Sequence, residues 1–306
     1  MNGSHGTPSD GTAGVSRVVL VDKPVGPTSF DIVRMARRGL KVKVGHAGTL
    51  DPFASGLLLV LIGQATRLSS LMMDQPKEYL LTAQFGATSS TADPTGDVRP
   101  TGRVADRRAL VAALDAFRGR ITQRVPLTSA VKVDGEPLYR RARRGEKMET
   151  PEREVVVYDL SLLSFDEESQ VGQILACTGQ GTYVRTLAEG LGEVTGAGAY
   201  AAALRRVRIG LFSIDEALTP DELDPERYKA VGPGVVPLSE ALRFLPRHDV
   251  VGREASLAAN GNKLKGLPPG RFRVFSPDGL LGVWEGIGGI AQASVVFPSP
   301  VPEEAA

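Results

Sequence analysis

Asp51 lies in the stretch Gly45-His46-Ala47-Gly48-Thr49-Leu50-Asp51-Pro52-Phe53-Ala54-Ser55-Gly56, which is rich in turn-forming residues. A carboxylate held in such a loop can serve as a nucleophile or exchange a proton with a substrate. The glycines reach backbone angles closed to other residues and let a ligand approach the chain closely. By itself Asp51 reads equally well as a structural residue, because Asp before Pro often starts a turn or caps a helix. His46 is by type more often a surface or structural histidine than a functional one. Farther on, Arg140, Arg141, Arg143, Arg144 and Lys147 crowd a short segment, opposed there only by Glu146. That pattern suits a solvated helix face, or a basic flap that follows a phosphate backbone.

The elements around these residues must hold them in place. Leu57-Leu58-Leu59-Val60-Leu61-Ile62 directly follows the Asp51 loop, too short to cross a bilayer and long enough for a buried strand. Val18 to Val21 reads as a strand stopped at Asp22-Lys23-Pro24, and Ser29 as the cap of a helix that carries Arg34, Arg37 and Arg38 towards its end. Glu78 to Phe85 reads as a strand. Gly86 to Gly102 is dense in Thr, Ser, Asp, Pro and Gly, which suggests a long exposed connection. Asp106 is placed to cap a helix with Leu110, Val111, Leu114 and Phe117 on one apolar face. Val155 to Phe165 and Val171 to Cys177 read as strands, and Gly179 to Thr182 as a tight loop into a helix containing Arg185, Leu187 and Leu191. Leu204 to Ile209 alternates apolar and charged residues, as a half-exposed strand does. Pro220 to Pro246 reads as a bridge. From about Arg247, short runs spaced by Gly and Pro indicate a small β domain. Helices and strands mix without strict alternation, so an α+β fold with a largely antiparallel sheet is expected.

Bulk properties narrow the function. A chain of 306 residues can bury a full core, and its formal net charge of +1 leaves nucleic-acid affinity to local clusters of Arg and Lys. One cysteine, Cys177, precludes an internal disulfide and reads as a buried small hydrophobe. Neither a zinc spacing, a dinucleotide fingerprint nor a phosphate-binding loop is visible, so no metal and no cofactor are expected. Residues 1–16 lack a secretion signal and read as a disordered leader, and the cytoplasm is the expected compartment.

Several separated motifs occur in a telling order: Leu20-Val21-Asp22-Lys23-Pro24-Val25-Gly26-Pro27-Thr28-Ser29, the Asp51 loop, Lys77-Glu78-Tyr79, Ser129-Ala130-Val131-Lys132-Val133-Asp134-Gly135 with Tyr139, and Gly181-Thr182-Tyr183-Val184-Arg185-Thr186. From about Val18 to Ile214 the series closely resembles the TruB family, the bacterial tRNA pseudouridine-55 synthases. Thr128 departs from that pattern, standing where a bulkier residue is expected.

The resemblance implies a pseudouridine-synthase-type mixed sheet flanked by helices over residues 17–245, with the basic flap at about 118–153. A PUA-like RNA-binding domain would follow at 246–300, and a tail at 301–306. It implies isomerisation of a uridine in the TΨC arm of tRNA: the N-glycosidic bond breaks, the base turns, and C5 bonds to the ribose C1′. Asp51 would be the nucleophile and Arg185 its charged partner. Tyr79 would be a platform for the flipped base and a participant in proton transfer. His46, Tyr183 and Leu204 would line the uridine site, while Lys23 and Lys132 would support the loop or touch RNA. The flap and Arg205, Arg206 and Arg208 would grip tRNA, with no membrane, no obligatory protein partner and a monomeric chain. Two other readings share these residues: a guide-RNA-dependent pseudouridine synthase, and an RNA chaperone that grips the tRNA elbow without catalysis.

Overall fold

The computed structural model describes residues 14–303 apart from 130, 134, 145 and 147–149. The strands, in chain order, begin with β1 (Arg17–Lys23), β2 (Val44–Ala47), β3 (Ser55–Ile62), β4 (Lys77–Phe85), β5 (Ala87–Ser89), β6 (Val98–Pro100) and β7 (Gly119–Arg124). Next come β8 (Lys132–Val133), β9 (Glu136–Pro137), β10 (Glu152–Asp166), β11 (Val171–Thr178), β12 (Ala199–Ile209), β13 (Phe212–Ser213) and β14 (Val235–Val236). The last are β15 (Arg247–Asp249), β16 (Leu264–Lys265), β17 (Gly270–Ser276), β18 (Gly279–Ile287) and β19 (Ile290–Val301). The helices are α1 (Ser29–Ala36), α2 (Ser69–Met73), α3 (Arg107–Ala116), α4 (Leu138–Arg143), α5 (Val184–Val194), α6 (Leu238–Ala241) and α7 (Gly252–Ala259).

One sheet runs in the order β14-β1-β3-β12-β4-β11-β10-β7, with β2 added beside β3 and β13 beside β12. Its pairs are antiparallel except β3 with β12. The fold is α+β, with a small C-terminal domain built on the sheet β15-β17-β18-β19-β16. Strand β3 is buried on both faces, which explains its unbroken apolar run: Leu57, Leu59 and Leu61 join one core and Leu58, Val60 and Ile62 another. Phe275, Leu280, Phe297 and Val301 of the C-terminal sheet pack into the first of these cores, and α1 covers the second through Ile32 and Ala36. A third core joins α3 and α5 to β4, β10, β11 and β12, and takes in Leu50 and Ala54 of the Asp51 loop. Helix α3 starts as expected, with Asp106 accepting the Arg108 and Ala109 N–H groups at 2.8 and 3.0 Å.

Several sequence expectations change. Thr28, not Ser29, caps α1 and forms a capping box with Asp31. Ser29 turns inward, where its Oγ donates to Leu50 O at 3.1 Å and accepts Leu50 N–H at 2.8 Å. Val111 faces solvent, while Leu110 and Leu114 face the core. Cys177 is half-buried rather than buried. Residues 86–102 are not simply an exposed connection, because they fold back as the β5–β6 hairpin around a buried Asp93. Of the expected leader, residues 1–13 lie outside the described residues, and Ser16 is already packed, its Oγ accepting Gln64 N–H at 3.0 Å.

Candidate active site

Where β12 lies parallel to β3, Arg206 is level with Gly56. Gly56 has φ of +107°, and a Cβ there would lie 2.2 Å from the Arg206 carbonyl oxygen, so no larger residue fits. This contact fixes the C-terminal end of the Asp51 loop. Its middle is held through Leu50 by Ser29, and Pro52 O accepts Gly26 N–H at 2.8 Å. Two segments far apart in sequence therefore clamp Asp51 from both sides.

The Asp51 carboxylate faces Arg185 at the start of α5, with Nη2 3.4 Å from Oδ2. Among the described residues its carboxylate takes no hydrogen bond from the backbone of its own loop, while its carbonyl accepts Ala54 N–H at 3.1 Å. Arg185 in turn donates from Nη1 to Asp93 Oδ2 at 2.8 Å. Exposure falls along the row, from 35% for the Asp51 side chain to 4% for Arg185 and 2% for Asp93, so Asp51 is the carboxylate of this row that is open to solvent. Arg185 Nε and Nη2 are buried without a hydrogen-bond partner, so the Asp51 contact is an ion pair and not a hydrogen bond.

The electrostatics follow the same order. Burial pushes the Asp51 carboxyl up; Arg185 and Lys23 pull it down, and Asp93 adds to the rise. Burial also works to raise Asp93, but hydrogen bonds from Thr95, Thr91 and Arg185 outweigh it and hold this carboxyl below its ordinary value. Thr91 Oγ1 and Thr95 Oγ1 donate to Asp93 Oδ1 at 2.7 and 2.5 Å. Lys23 is wholly buried, and its Nζ donates to the carbonyls of Pro24 and Pro27, both at 2.9 Å. Burial lowers Lys23 to about 8, with Asp51 pulling it up and Arg206 pushing it down.

Tyr79, Leu204, Val184 and Leu50 belong to one apolar cluster that reaches the same loop, and Tyr79 and Leu204 each retain 8% exposure. Tyr183 is half-buried at the cap position of α5. Its N–H donates to Gln123 Oε1 at 3.0 Å and its carbonyl accepts Gln123 Nε2 at 3.3 Å. His46 sits on β2 with Nδ1 buried and unpartnered; burial and then Arg206 lower its pKa, so the ring is neutral at pH 7.

The expected RNA contacts separate. Arg206 is corrected: it is 1% exposed and faces inward, donating from Nε to Leu57 O at 2.7 Å and from Nη2 to Gly48 O at 2.9 Å. The alternation of β12 turns this arginine to the inner face, where its guanidinium lies 6.0 Å from the Tyr79 ring. Arg205 pairs with Asp22 at 2.7 Å, and Arg208 lies 3.6 Å from Glu78, both part-exposed. In the flap, Arg140 and Arg144 are exposed; Arg144 is held between Glu136 and Glu146, and Arg141 bonds Glu146 at 2.8 Å. Lys147 and the side chains of Lys132, Tyr139 and Arg143 lie outside the described residues. A cleft of about 560 Å³ is lined by Thr91 and Ala92 next to Asp93, by Thr186 and Glu189 after Arg185, and by Arg124 and Thr128 of the flap region.

Sequence reasoning missed Asp93 and Gln123. Asp93-Pro94 repeats the dipeptide of Asp51-Pro52 and is flanked by Thr91 and Thr95, a pattern that favours a carboxylate closing its own turn. Nothing in that local pattern points to Arg185. Among the described residues no cluster of three potential metal ligands occurs, and no helix is long and apolar enough to cross a membrane.

Comparison with known proteins adds independent evidence. Residues 36–184 match the TruB family pseudouridylate synthase N-terminal domain. A tRNA pseudouridine synthase B of Pseudomonas fluorescens strain Pf-5 is 37% identical over 290 residues, covering 93% of this chain and 94% of that protein. One from Bordetella avium is 43% identical over 224 residues, covering 72% of this chain and 88% of that protein. Among solved structures, a chain of a Cbf5-Nop10-Gar1 complex superposes with TM-score 0.71 at 23% identity, covering 99% of this chain and 93% of that one. A chain of an archaeal box H/ACA sRNP Nop10-Cbf5 complex gives 0.68 at 22%, covering 98% and 92%. At these identities the structural likeness is one of fold alone.

Proposed function

The chain belongs to the TruB family of pseudouridylate synthases, and from that premise we propose that it converts uridine 55 in the TΨC loop of tRNA to pseudouridine, with Asp51 as nucleophile on a flipped-out base. It is an isomerase, a pseudouridine synthase acting on tRNA. The position, the flipping and the nucleophile are the proposed part. The observation that carries them is the row Asp51–Arg185–Asp93, in which a reachable carboxylate meets a cation that a second, buried carboxylate prevents from following it.

Each group has work to do in this reading. Arg185 and Lys23 favour the ionised form of Asp51, which nucleophilic attack requires, against the opposing effect of burial. Arg185 is already held by Asp93, so it aims the carboxylate without being neutralised by it. Extruding a stacked base costs about a few kcal/mol, and the Tyr79 and Leu204 surfaces offer an apolar wall to offset this. His46, neutral and part-buried on β2, fills space beside the loop and needs no charge to do so. Tyr183, fixed by Gln123, closes the α5 side. Arg205, Arg208, the flap and a PUA-like C-terminal domain hold the RNA, and the chain works as a monomer in the cytoplasm where tRNA is found.

Site-resolved pseudouridine mapping tests this. An unmodified tRNA transcript incubated with the wild-type chain and no added cofactor should be converted only at the TΨC-loop uridine. Asp51→Asn should bind tRNA within a few-fold and give no product. Tight binding without conversion by the wild type would replace this reading by an RNA chaperone or a guide-dependent enzyme.

A further inference from the structure

In a chain of net charge +1, residues 34–43 hold Arg34, Arg37, Arg38, Lys41 and Lys43 and no acidic residue. Helix α1 turns Ser29, Ile32, Val33 and Ala36 inward. Phe30, Arg34 and Arg38 follow at helical spacing on the outer side, where Phe30 is 64% exposed and the Arg34 side chain 67%. The Arg34 guanidinium lies 5.6 Å from the Phe30 ring centroid and also contacts Asp31 at 3.1 Å. Arg37, Arg38 and Lys43 are exposed and make no side-chain hydrogen bond or ion pair among the described residues. The flap differs: its Arg144 is already engaged by Glu136 and Glu146.

Both ends of this basic segment run into the active site. Ser29, at the start of α1, bonds Leu50 next to Asp51, and Lys43 leads directly into β2, which carries His46. Helix α1 is about 12 Å long, the rise of about three to four base pairs at about 3.4 Å each. A linear run of cations with an aromatic face at the end nearest the reactive carboxylate matches a polyanion that presents phosphates at regular intervals and bases beside them.

We propose that the outer face of α1 and the turn after it form an RNA-docking stripe, in which Arg34, Arg37, Arg38 and Lys43 contact backbone phosphates of the stem flanking the target loop and Phe30 packs on its nearest exposed base or sugar. The proposal rests on the tRNA-modifying reading above.

The test uses the full chain and an unmodified tRNA transcript, with Kd measured across a salt series and turnover measured in parallel. Arg37→Gln/Arg38→Gln/Lys43→Gln should lower the slope of log Kd against log salt by about 2 to 3, from about 0.7–0.9 per lost phosphate contact. KM should rise at least about tenfold at low salt while kcat moves less than about twofold. Phe30→Ala should weaken binding several-fold with the slope retained. Arg103→Gln/Arg107→Gln/Arg108→Gln removes the same charge from α3 and the residues before it, which face a different core, and should leave the slope as in the wild type. A wild-type slope in the α1 variant would overturn the stripe while leaving the enzyme reading intact. An equal fall in the α3 control would also overturn it, since net charge alone would then explain the effect. A wild-type chain that neither binds nor converts tRNA would remove the enzyme reading and the stripe with it.

Discussion

Arg185 makes a closer contact with Asp93, at 2.8 Å, than with Asp51, at 3.4 Å, although 92 positions separate Arg185 from Asp93. The hydrogen bond goes to the buried carboxylate and Asp51 makes an ion pair only, so Asp93 sets where the guanidinium stands and Asp51 meets a partner already in place. Asp93→Asn would leave a buried cation short of its counter-charge. Breaking such a pair costs about 3–5 kcal/mol. We expect a matching loss in chemical denaturation and a fall in kcat of about a hundredfold, since small misplacements of a reacting group have effects of that order. A variant of normal stability and turnover would show that Asp51 holds Arg185 without help.

Burial raises the Asp51 carboxyl, and its positive neighbours offset this only in part. The folded chain therefore keeps a proton that the unfolded chain has released, and the stability from this group, complete below the unfolded value, is lost as pH rises through the folded one. Asp51→Asn should accordingly melt above the wild type at pH 7, with the gap closing towards about pH 4. Turnover should drop by about a thousandfold or more. A lower melting temperature at pH 7 would mark Asp51 as structural.

Lys23 titrates near 8, its burial outweighing the pull of Asp51. From about 8 up to its ordinary 10.5 the unfolded chain holds the proton that the folded chain has lost, so this group makes stability rise with pH over that window. Lys23→Met should abolish that rise. It should also move the acid limb of kcat upward, because a charge that favours ionised Asp51 is gone. An unshifted limb would separate Lys23 from Asp51.

Arg206 is buried and ties two backbone segments together. Arg206→Met leaves Leu57 O and Gly48 O without their donor, at about 1–3 kcal/mol each. Since Arg206 also holds down the pKa of His46, that value should rise in the variant, as read from the imidazole proton shifts. Loss of stability with an unmoved His46 would limit Arg206 to a packing role.

Arg141 and Arg144 of the flap are already engaged by carboxylates. Glu136→Gln/Glu146→Gln should free Arg144 and raise tRNA affinity several-fold at low salt, with a steeper salt dependence in filter-binding or anisotropy measurements. Weaker binding would mean that the acids shape the flap instead of masking it.

Much of this arrangement can be read from local pattern. The apolar run of β3, the strand at Glu78 to Phe85 and the Asp106 cap each leave a short-range signature, and the structure bears them out. Thr28 and Ser29 show the limit of such reading. Both are competent caps, and the choice depends on Leu50, twenty-one positions away, which needs Ser29 for itself. The burial of Arg206 and the role of Asp93 are fixed by partners in β3 and α5, and no window of neighbouring residues contains them. Periodicity put Arg206 on a strand and on the same face as the buried Leu204, but the irregularity of β12 against β4 between Arg206 and Arg208, which leaves Arg208 outside, has no local signature.

The parallel contact between Ser55–Gly56 and Arg205–Arg206 also has a bearing on how the protein is made. About 150 residues of chain separate the two sides, and pairing at such range is slow because a large loop must close before the contact forms. During synthesis Asp51 leaves the ribosome early, in a loop whose clamp has not yet been translated. The surroundings of Asp51 are therefore assembled late, and a chain released before β12 carries the signature motif without the clamp that holds its loop.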